Sequence, residues 1–209
     1  MVSLSCITKD YKKITKSSYE KYAKEYEENT KDYHKYIKKE LVLFLTNLKG
    51  KKILDIGSGP GRDSIYFKNK GFEPLCIDFS EKMIESCKKK GLDSKVMDIE
   101  NMNFLNNSFD GVWAYTSLLH FPKNKIKDIL RRIHEILKSN GIFFLGMVEG
   151  SSENLEEDDR YPGEKKFKTL YKEEELIELL SEYFTIIHTS KVEFPEKNYI
   201  NMLCKSKKL

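Results

Sequence analysis

Ile53-Leu54-Asp55-Ile56-Gly57-Ser58-Gly59-Pro60-Gly61-Arg62 is the stretch on which the reading of this chain turns. An apolar strand pattern ends in three alternating glycines and passes directly into a helix that begins Arg62-Asp63-Ser64. Glycine lets the backbone turn sharply and lets a ligand approach with no Cβ in the way, and the helix that follows offers free N–H groups at its N-terminus. A nicotinamide-binding loop of the GxGxxG type would place its third glycine where this chain has Arg62. Asp55 also stands ahead of the first glycine, where such loops usually carry no acid. A plain glycine turn in a βαβ unit is the alternative without a ligand.

Working outward, strand-length apolar runs alternate with helical patterns. The runs 52–56, 75–78, 94–97, 109–115 and 142–148 read as strands, and 62–70, 81–90 and 125–138 as helices. Gly71, Gly91 and Gly141 sit where helices stop and strands begin. Such alternation over about 100 residues means a parallel sheet covered by helices on both faces. Upstream, 16–48 is helical, with a break at 29–32 and Ser17 or Ser18 as a candidate cap. Tyr19, Tyr22, Tyr26, Tyr33 and Tyr36 recur there at spacings that place most of them on one face. Downstream, 150–163 is acidic and loop-like, and 172–183 is helical. The runs 184–189 and 199–204 are joined by a short connection containing Pro195, too short for a helical crossover, so these last strands are antiparallel.

Composition narrows the function classes. A chain of 209 residues with 39% hydrophobic and 12% aromatic residues builds one globular domain and is not disordered. No apolar run reaches membrane-spanning length and no signal-peptide core stands at the N-terminus, so a cytoplasmic, membrane-free protein is expected. Cys6, Cys76, Cys87 and Cys204 lack metal-like spacing and read as reduced thiols, and the histidines are scattered, so no metal site is expected. Neither a GxSxG nor a GxxxxGK[ST] motif occurs, which argues against a serine hydrolase or a P-loop enzyme.

Two further acids close strands. Asp78 ends the run Leu75-Cys76-Ile77, and a carboxylate there accepts both hydroxyls of a ribose lying across the strand ends. The competing role is a helix N-cap, which Ser80 can fill alone. Asp98 closes the third strand in Met97-Asp98-Ile99, where it could meet an amino group on a purine edge while Ile99 covers the ring; a turn aspartate is the alternative. With Asp55, three acids at the carboxyl ends of three successive strands line one crevice.

Together LDIGSGPGRDSIYF, CIDFSEKMIESC, VMDIENMNF, FDGVWAYTSLLHF and the unit IKDILRRIHEILKSNG–IFFLGMV resemble a class I S-adenosylmethionine-dependent methyltransferase over 51 to 148. The closest likeness is to small stand-alone members. The resemblance implies an α/β, Rossmann-like, doubly wound, seven-stranded and mostly parallel sheet with an antiparallel last strand and N-terminal helices. It implies S-adenosyl-L-methionine as cofactor and S-adenosyl-L-homocysteine as product. Gly57, Gly59 and Gly61 would hug the amino-acid end of that cofactor, and Asp55 would orient the loop or the α-amino group. Asp78 would hold the ribose, Asp98 and Ile99 the adenine, and Tyr115 the methionine portion. Ser58, Arg62, Phe79 and Tyr22 complete the expected cofactor contacts.

His120 follows the fourth strand at the crevice edge and is the candidate base if the acceptor needs one, against a purely structural role. His134 and His188 read as structural, His34 as solvated, and Trp113 as helix-to-sheet packing. The organisation expected is a single domain with an N-terminal helical lid over 1–49, a cofactor core over 50–149 and a substrate-rim insert, helix and hairpin over 150–209. A net charge of +4, with nine acids against five basic side chains in 151–175, argues for a small-molecule acceptor over nucleic acid. The alternatives are a tRNA or protein methyltransferase, a nicotinamide oxidoreductase and a non-catalytic cofactor-binding protein. Oligomeric state is left open.

Overall fold

In a computed structural model, which describes residues 4–158, 160–194 and 197–208 with side chains from residue 11 onward, the glycine loop sits at the middle of the main sheet. Strands β1 (Lys52–Ile56), β2 (Glu73–Asp78), β3 (Asp93–Val96), β4 (Phe109–Tyr115) and β5 (Leu137–Val148) are parallel. Two more strands, β8 (Phe184–Glu193) and β9 (Asn198–Ser206), close the sheet as an antiparallel pair, with β9 against β5. The order is β3-β2-β1-β4-β5-β9-β8, so the chain reverses direction of travel between β1 and β4. Side chains and loops at the carboxyl ends of strands flanking such a switch point form a crevice.

The central strands are buried on both faces, which is why they read as continuous apolar runs and not as alternating ones. Helix α4 (Arg62–Asn69) follows β1, α5 (Glu81–Lys89) follows β2, and α6 (Lys123–Ile136) follows β4. In α6 the buried residues Ile126, Ile129, Leu130, Ile133 and Ile136 form the core-facing stripe. Helix α7 (Glu173–Ser181) buries Leu176 and Leu180. On the opposite face Trp113 stacks on Phe144 at 3.9 Å, meets Phe44 and Phe67 edge-on, and donates from Nε1 to Asp63 at 3.0 Å. It packs a helix layer onto the sheet, as expected.

Three regions differ from the sequence reading. The N-terminal helix starts earlier: α1 spans Leu4–Lys21 and α2 spans Ala23–Thr30, with a 3-10 turn at Tyr33–Lys35 and α3 at Lys38–Asn47. The break expected at 29–32 is present, but a second one falls at Tyr22. Ser17 and Ser18 lie inside α1, and Ser18 is buried with Tyr11 and Thr15 on one helical face. They cap nothing. Secondly, 150–163 is not loop throughout, since residues 153–157 form a strand. Antiparallel strands β6 (Glu153–Glu157) and β7 (Lys165–Thr169) make a separate hairpin whose cross-strand pairs include Glu156 with Lys166 and Glu157 with Lys165. Opposite charges across a ladder support strands built from residues that are poor strand formers alone. Thirdly, α6 ends at Ile136 and β5 begins at Leu137, with the β4 register jumping from Phe109–Leu137 to Gly111–Ile142 around Asn140 at φ +60°.

Helix α1 crosses the carboxyl ends of the strands and packs on α5 and β7, and Thr15 Oγ1 accepts the Phe167 N–H at 3.0 Å. Tyr11 is buried in the main core. The N-terminal segment therefore both covers the crevice and builds one of its walls. Among the described residues no helix is long and apolar enough to cross a membrane. Cys76, Cys87 and Cys204 are free and buried, while the side chain of Cys6, Asp159 and Pro195 lie outside the described residues.

Candidate functional site

The glycine loop is tied to the neighbouring strand: the N–H groups of Gly57 and Ser58 both donate to the Ile77 carbonyl, at 2.8 and 3.0 Å. All three glycines have positive φ, but they serve different ends. A Cβ on Gly57 would lie 2.4 Å from the Ser117 Cβ, and one on Gly61 would lie 2.5 Å from Leu92 Cδ1. A Cβ on Gly59 would meet only Tyr26 Cε1, at 3.6 Å, and would stand in the crevice. Gly61 thus leaves room for Leu92 and, in α5, for Cys87 Sγ at 3.0 Å, a packing role beside the one expected of it. Alanine at either Gly57 or Gly59 should cost about 1–2 kcal/mol from the left-handed backbone alone. Gly57→Ala, which adds a clash with Ser117, is expected to lower the melting temperature more than Gly59→Ala in a thermal unfolding comparison.

An inner crevice is lined by Gly57, Gly59, Asp78, Phe79, Asp98 and Ile99 from the sheet side. Tyr11, Lys12, Tyr19 and Tyr26 close it from the N-terminal helices. Asp55, Ser58 and Arg62 line a recess under the glycine loop that shares Gly57, Gly59 and Tyr115 with the crevice. Asp55 is buried and accepts from Ser64 Oγ at 2.7 Å, and burial pushes its carboxyl well above the usual range. Arg62 forks onto Asp63 at 2.7 and 2.9 Å, with its guanidinium near the rings of Tyr33 and Tyr115. Burial opposes ionisation of Asp63, but the charge of Arg62 and the hydrogen bonds from His34 and Arg62 outweigh it and hold that carboxyl well below its ordinary value. His34 is not merely solvated: its Nε2 lies 3.0 Å from the Arg62 carbonyl oxygen and 3.5 Å from Asp63.

Asp78 lines the crevice and ties down two backbone N–H groups, while the helix cap falls to Ser80. Oδ1 accepts the Ser80 N–H at 2.9 Å and Oδ2 accepts the Gly59 N–H at 3.0 Å, while Ser80 Oγ accepts the Met83 N–H as the helix cap. Burial raises its pKa to about 6, against the lowering effect of the backbone donors. Asp98 is more committed. It accepts the Glu100 N–H at 3.0 Å and pairs with Lys12 at 2.6 Å, so the turn-aspartate role is real, although it still lines the crevice beside Ile99.

Tyr22 is misplaced by the sequence reading. It falls at the break between α1 and α2, where the helical spacing no longer holds, and stacks on Tyr161 at 4.6 Å outside the crevice. Its neighbours Tyr19 and Tyr26 line the crevice instead. Tyr115 lines crevice, recess and an outer basin, and its buried hydroxyl has no partner among the described residues. Ser117 Oγ, which the sequence did not single out, is also buried and unpartnered in the crevice.

His120 sits between the two compartments. Its Nδ1 lies 2.7 Å from the Phe167 carbonyl, which can only accept, so Nδ1 carries the proton. Nε2 is then the acceptor for the Tyr19 hydroxyl at 2.8 Å. Burial drives the imidazole down to about 4, so it is neutral at physiological pH. Outside this dyad lies the basin, lined by Tyr33, Glu156, Asp158, Arg160, Lys166 and Lys168 among others; it shares Tyr19, Tyr26, Tyr115, Thr116 and His120 with the crevice. One acid of the hairpin departs from a solvated charge run: Asp158 is buried and pairs with Arg160 and Lys166, both at 2.8 Å.

Residues 53–141 match the family model of a methyltransferase domain. Among curated proteins, the chain is 24% identical over 122 residues to phosphoethanolamine N-methyltransferase 3 of Arabidopsis thaliana. It is 30% identical over 103 residues to sarcosine/dimethylglycine N-methyltransferase of Aphanothece halophytica. These alignments take in 54% and 45% of this chain and only 24% and 36% of the two relatives. Among solved structures, 1,6-didemethyltoxoflavin-N1-methyltransferase of Burkholderia thailandensis, with its acceptor and S-adenosylhomocysteine bound, superposes with a TM-score of 0.78 at 20% identity. That superposition covers 95% of this chain and 90% of the other.

Proposed function

We propose, from the premise that residues 53–141 are a methyltransferase domain of the class I fold, that this protein transfers a methyl group from S-adenosylmethionine to a small-molecule acceptor. The observation that carries the proposal is the shared wall: a crevice with a glycine loop and strand-end carboxylates meets a separate polar basin at Tyr19, Tyr26, Tyr115, Thr116 and His120. Transfer between two bound molecules needs such a junction.

The crevice fits the cofactor on its own terms. Gly59 leaves room for a ligand against the backbone, Asp78 offers an acceptor for ribose hydroxyls, and Phe79 and Ile99 offer apolar faces for a purine. Ser117 and Tyr115 present buried hydroxyls that lack partners among the described residues. When bound, S-adenosylmethionine supplies a methyl on a sulfonium that is already a cationic leaving group. What the chain supplies is alignment, worth roughly 7–11 kcal/mol in well-oriented systems, and aromatic faces that steady the positive charge. Tyr19 and His120 hold a neutral hydrogen-bonded pair in the wall, so a proton released by the acceptor can pass to the Tyr19 oxygen as Tyr19 gives its own to His120 Nε2.

The small-molecule reading does not rest on an acidic rim. Asp158 and Glu156 are paired with neighbouring cations, so repulsion of a polyanion is weaker than the sequence suggests. It rests on the basin's enclosure by Tyr26, Tyr33, Phe194 and Tyr199, and it agrees with the relatives, whose names specify small acceptors. A tRNA or protein acceptor is the second reading, favoured by the lysine excess of 9–40, ten against seven acids. A nicotinamide enzyme is disfavoured by Arg62 and by the closing antiparallel pair. In calorimetric titrations S-adenosylhomocysteine is expected to bind and NAD not to; the reverse result would end the proposal.

A further inference from the structure

We propose that the acceptor carries an acidic group, a phosphate or a carboxylate, and that Arg160 and Lys166 in the β6–β7 hairpin hold it; this rests on the methyltransferase reading above. Two cations converge on one carboxylate. Arg160 reaches Asp158 through Nε at 2.9 Å and Nη2 at 2.8 Å, and Lys166 Nζ lies 2.8 Å from the same carboxylate. One positive charge in this cluster, whose carboxylate and lysine are buried, is left without a counter-charge among the described residues. Lys168, the next inward cation, is already matched by Glu156 at 3.2 Å.

Lys166 is the unusual member. Its side chain is 1% exposed, and beyond the ion pair its ammonium makes no hydrogen bond among the described residues. It lies over the Tyr19 ring at 3.8 Å, with Tyr161 at 5.0 Å and Tyr26 at 5.7 Å. Aromatic faces offset part of the loss of water, but a buried ammonium retains donors that want an acceptor. Burial correspondingly pulls the lysine down to about 8 in spite of Asp158. An anion in the basin would satisfy those donors and the excess charge together, through charge-assisted hydrogen bonds.

Position decides that the anion belongs to the acceptor. Arg160 and Lys166 line the basin and not the inner crevice, so they face the acceptor side of the shared wall. Lys166 rests directly on the ring whose hydroxyl bonds His120. An acid gripped there lies about one tyrosine ring from the dyad, so the methylated atom and the acid are only a few bonds apart in the same small molecule.

The test uses the full chain. S-adenosylhomocysteine is titrated first; inorganic phosphate, acetate and, as a cation control, methylammonium are then titrated at constant ionic strength, with and without it. One of the two anions is expected to bind the wild-type protein. Lys166→Met and Arg160→Gln should each weaken it about tenfold or more, with S-adenosylhomocysteine affinity unchanged. Whichever anion binds more tightly assigns phosphate or carboxylate. Arg160, 39% exposed, is the variant least able to disturb folding. If neither anion binds, if both variants bind it like wild type, or if methylammonium binds better, the assignment is overturned. Failure of S-adenosylhomocysteine to bind would instead defeat the methyltransferase reading, and the cofactor-free titrations would still decide whether the anion site exists.

Discussion

Replacing His120 by alanine or Tyr19 by phenylalanine should lower turnover by about 10²- to 10³-fold, the usual loss when a positioned proton acceptor is removed, while S-adenosylhomocysteine affinity changes little. Both residues belong to one hydrogen-bonded unit, with the Tyr19 hydroxyl 2.8 Å from Nε2 and Nδ1 fixed by the Phe167 carbonyl. The double variant should therefore be scarcely worse than either single one, because removing half the unit removes its use. The pH dependence has a definite sign. His120 titrates at about 4 in the fold, below the ordinary histidine value of 6.5, because burial disfavours its charged form. Its neutral form is thus available throughout the range from pH 5 to pH 8, and activity should show no histidine-like loss near 6.5. Stability behaves in the linked way: it is fully present above 6.5 and is lost as pH falls toward 4, because the unfolded chain takes up the proton first. An additive double variant, or an activity loss centred near 6.5 with S-adenosylmethionine saturating, would remove the dyad from the mechanism.

Asp78→Ala is expected to weaken S-adenosylhomocysteine binding by about 2–3 kcal/mol, roughly 30- to 150-fold, the scale of losing hydrogen bonds to a charged acceptor. Because burial sets this carboxyl near 6, wild-type affinity should hold steady above pH 7 and decline as pH drops through 6, where the group takes a proton. Asp78→Asn should bind weakly at neutral pH and lose that slope. Equal affinity in wild type and Asp78→Ala would refute the ribose assignment.

The core from β1 to β5 was legible because each signal there is local. Glycines end the strands, Asp78 closes β2, and apolar runs of strand length mark elements buried on both faces. Gly59 and Asp78 carry local signals, a glycine turn after β1 and an acid at the end of β2, and both line the crevice. The site was not legible where partners are distant in sequence. Tyr22 was chosen over Tyr19 and Tyr26 because a stripe of tyrosines does not reveal the break at residue 22. The bond from Tyr19 to His120 spans 101 residues, and no local pattern announces it. The hairpin of β6 and β7 was hidden by its glutamates, which form strands here only because lysines stand opposite. Gly61 shows the converse: a motif position that looked like ligand contact also serves packing against Leu92.

The central claim is transfer of a methyl group across the wall shared by crevice and basin. It is tested most directly by incubating the purified chain with S-adenosylmethionine labelled on the methyl group and with pools of small acidic and neutral metabolites, beside the Tyr19→Phe/His120→Ala double variant. Label in a small-molecule product, equimolar S-adenosylhomocysteine, and a large drop in both for the variant are the expected result. Label transferred only to tRNA or protein, or tight S-adenosylhomocysteine binding with no transfer to any pool, would contradict the claim.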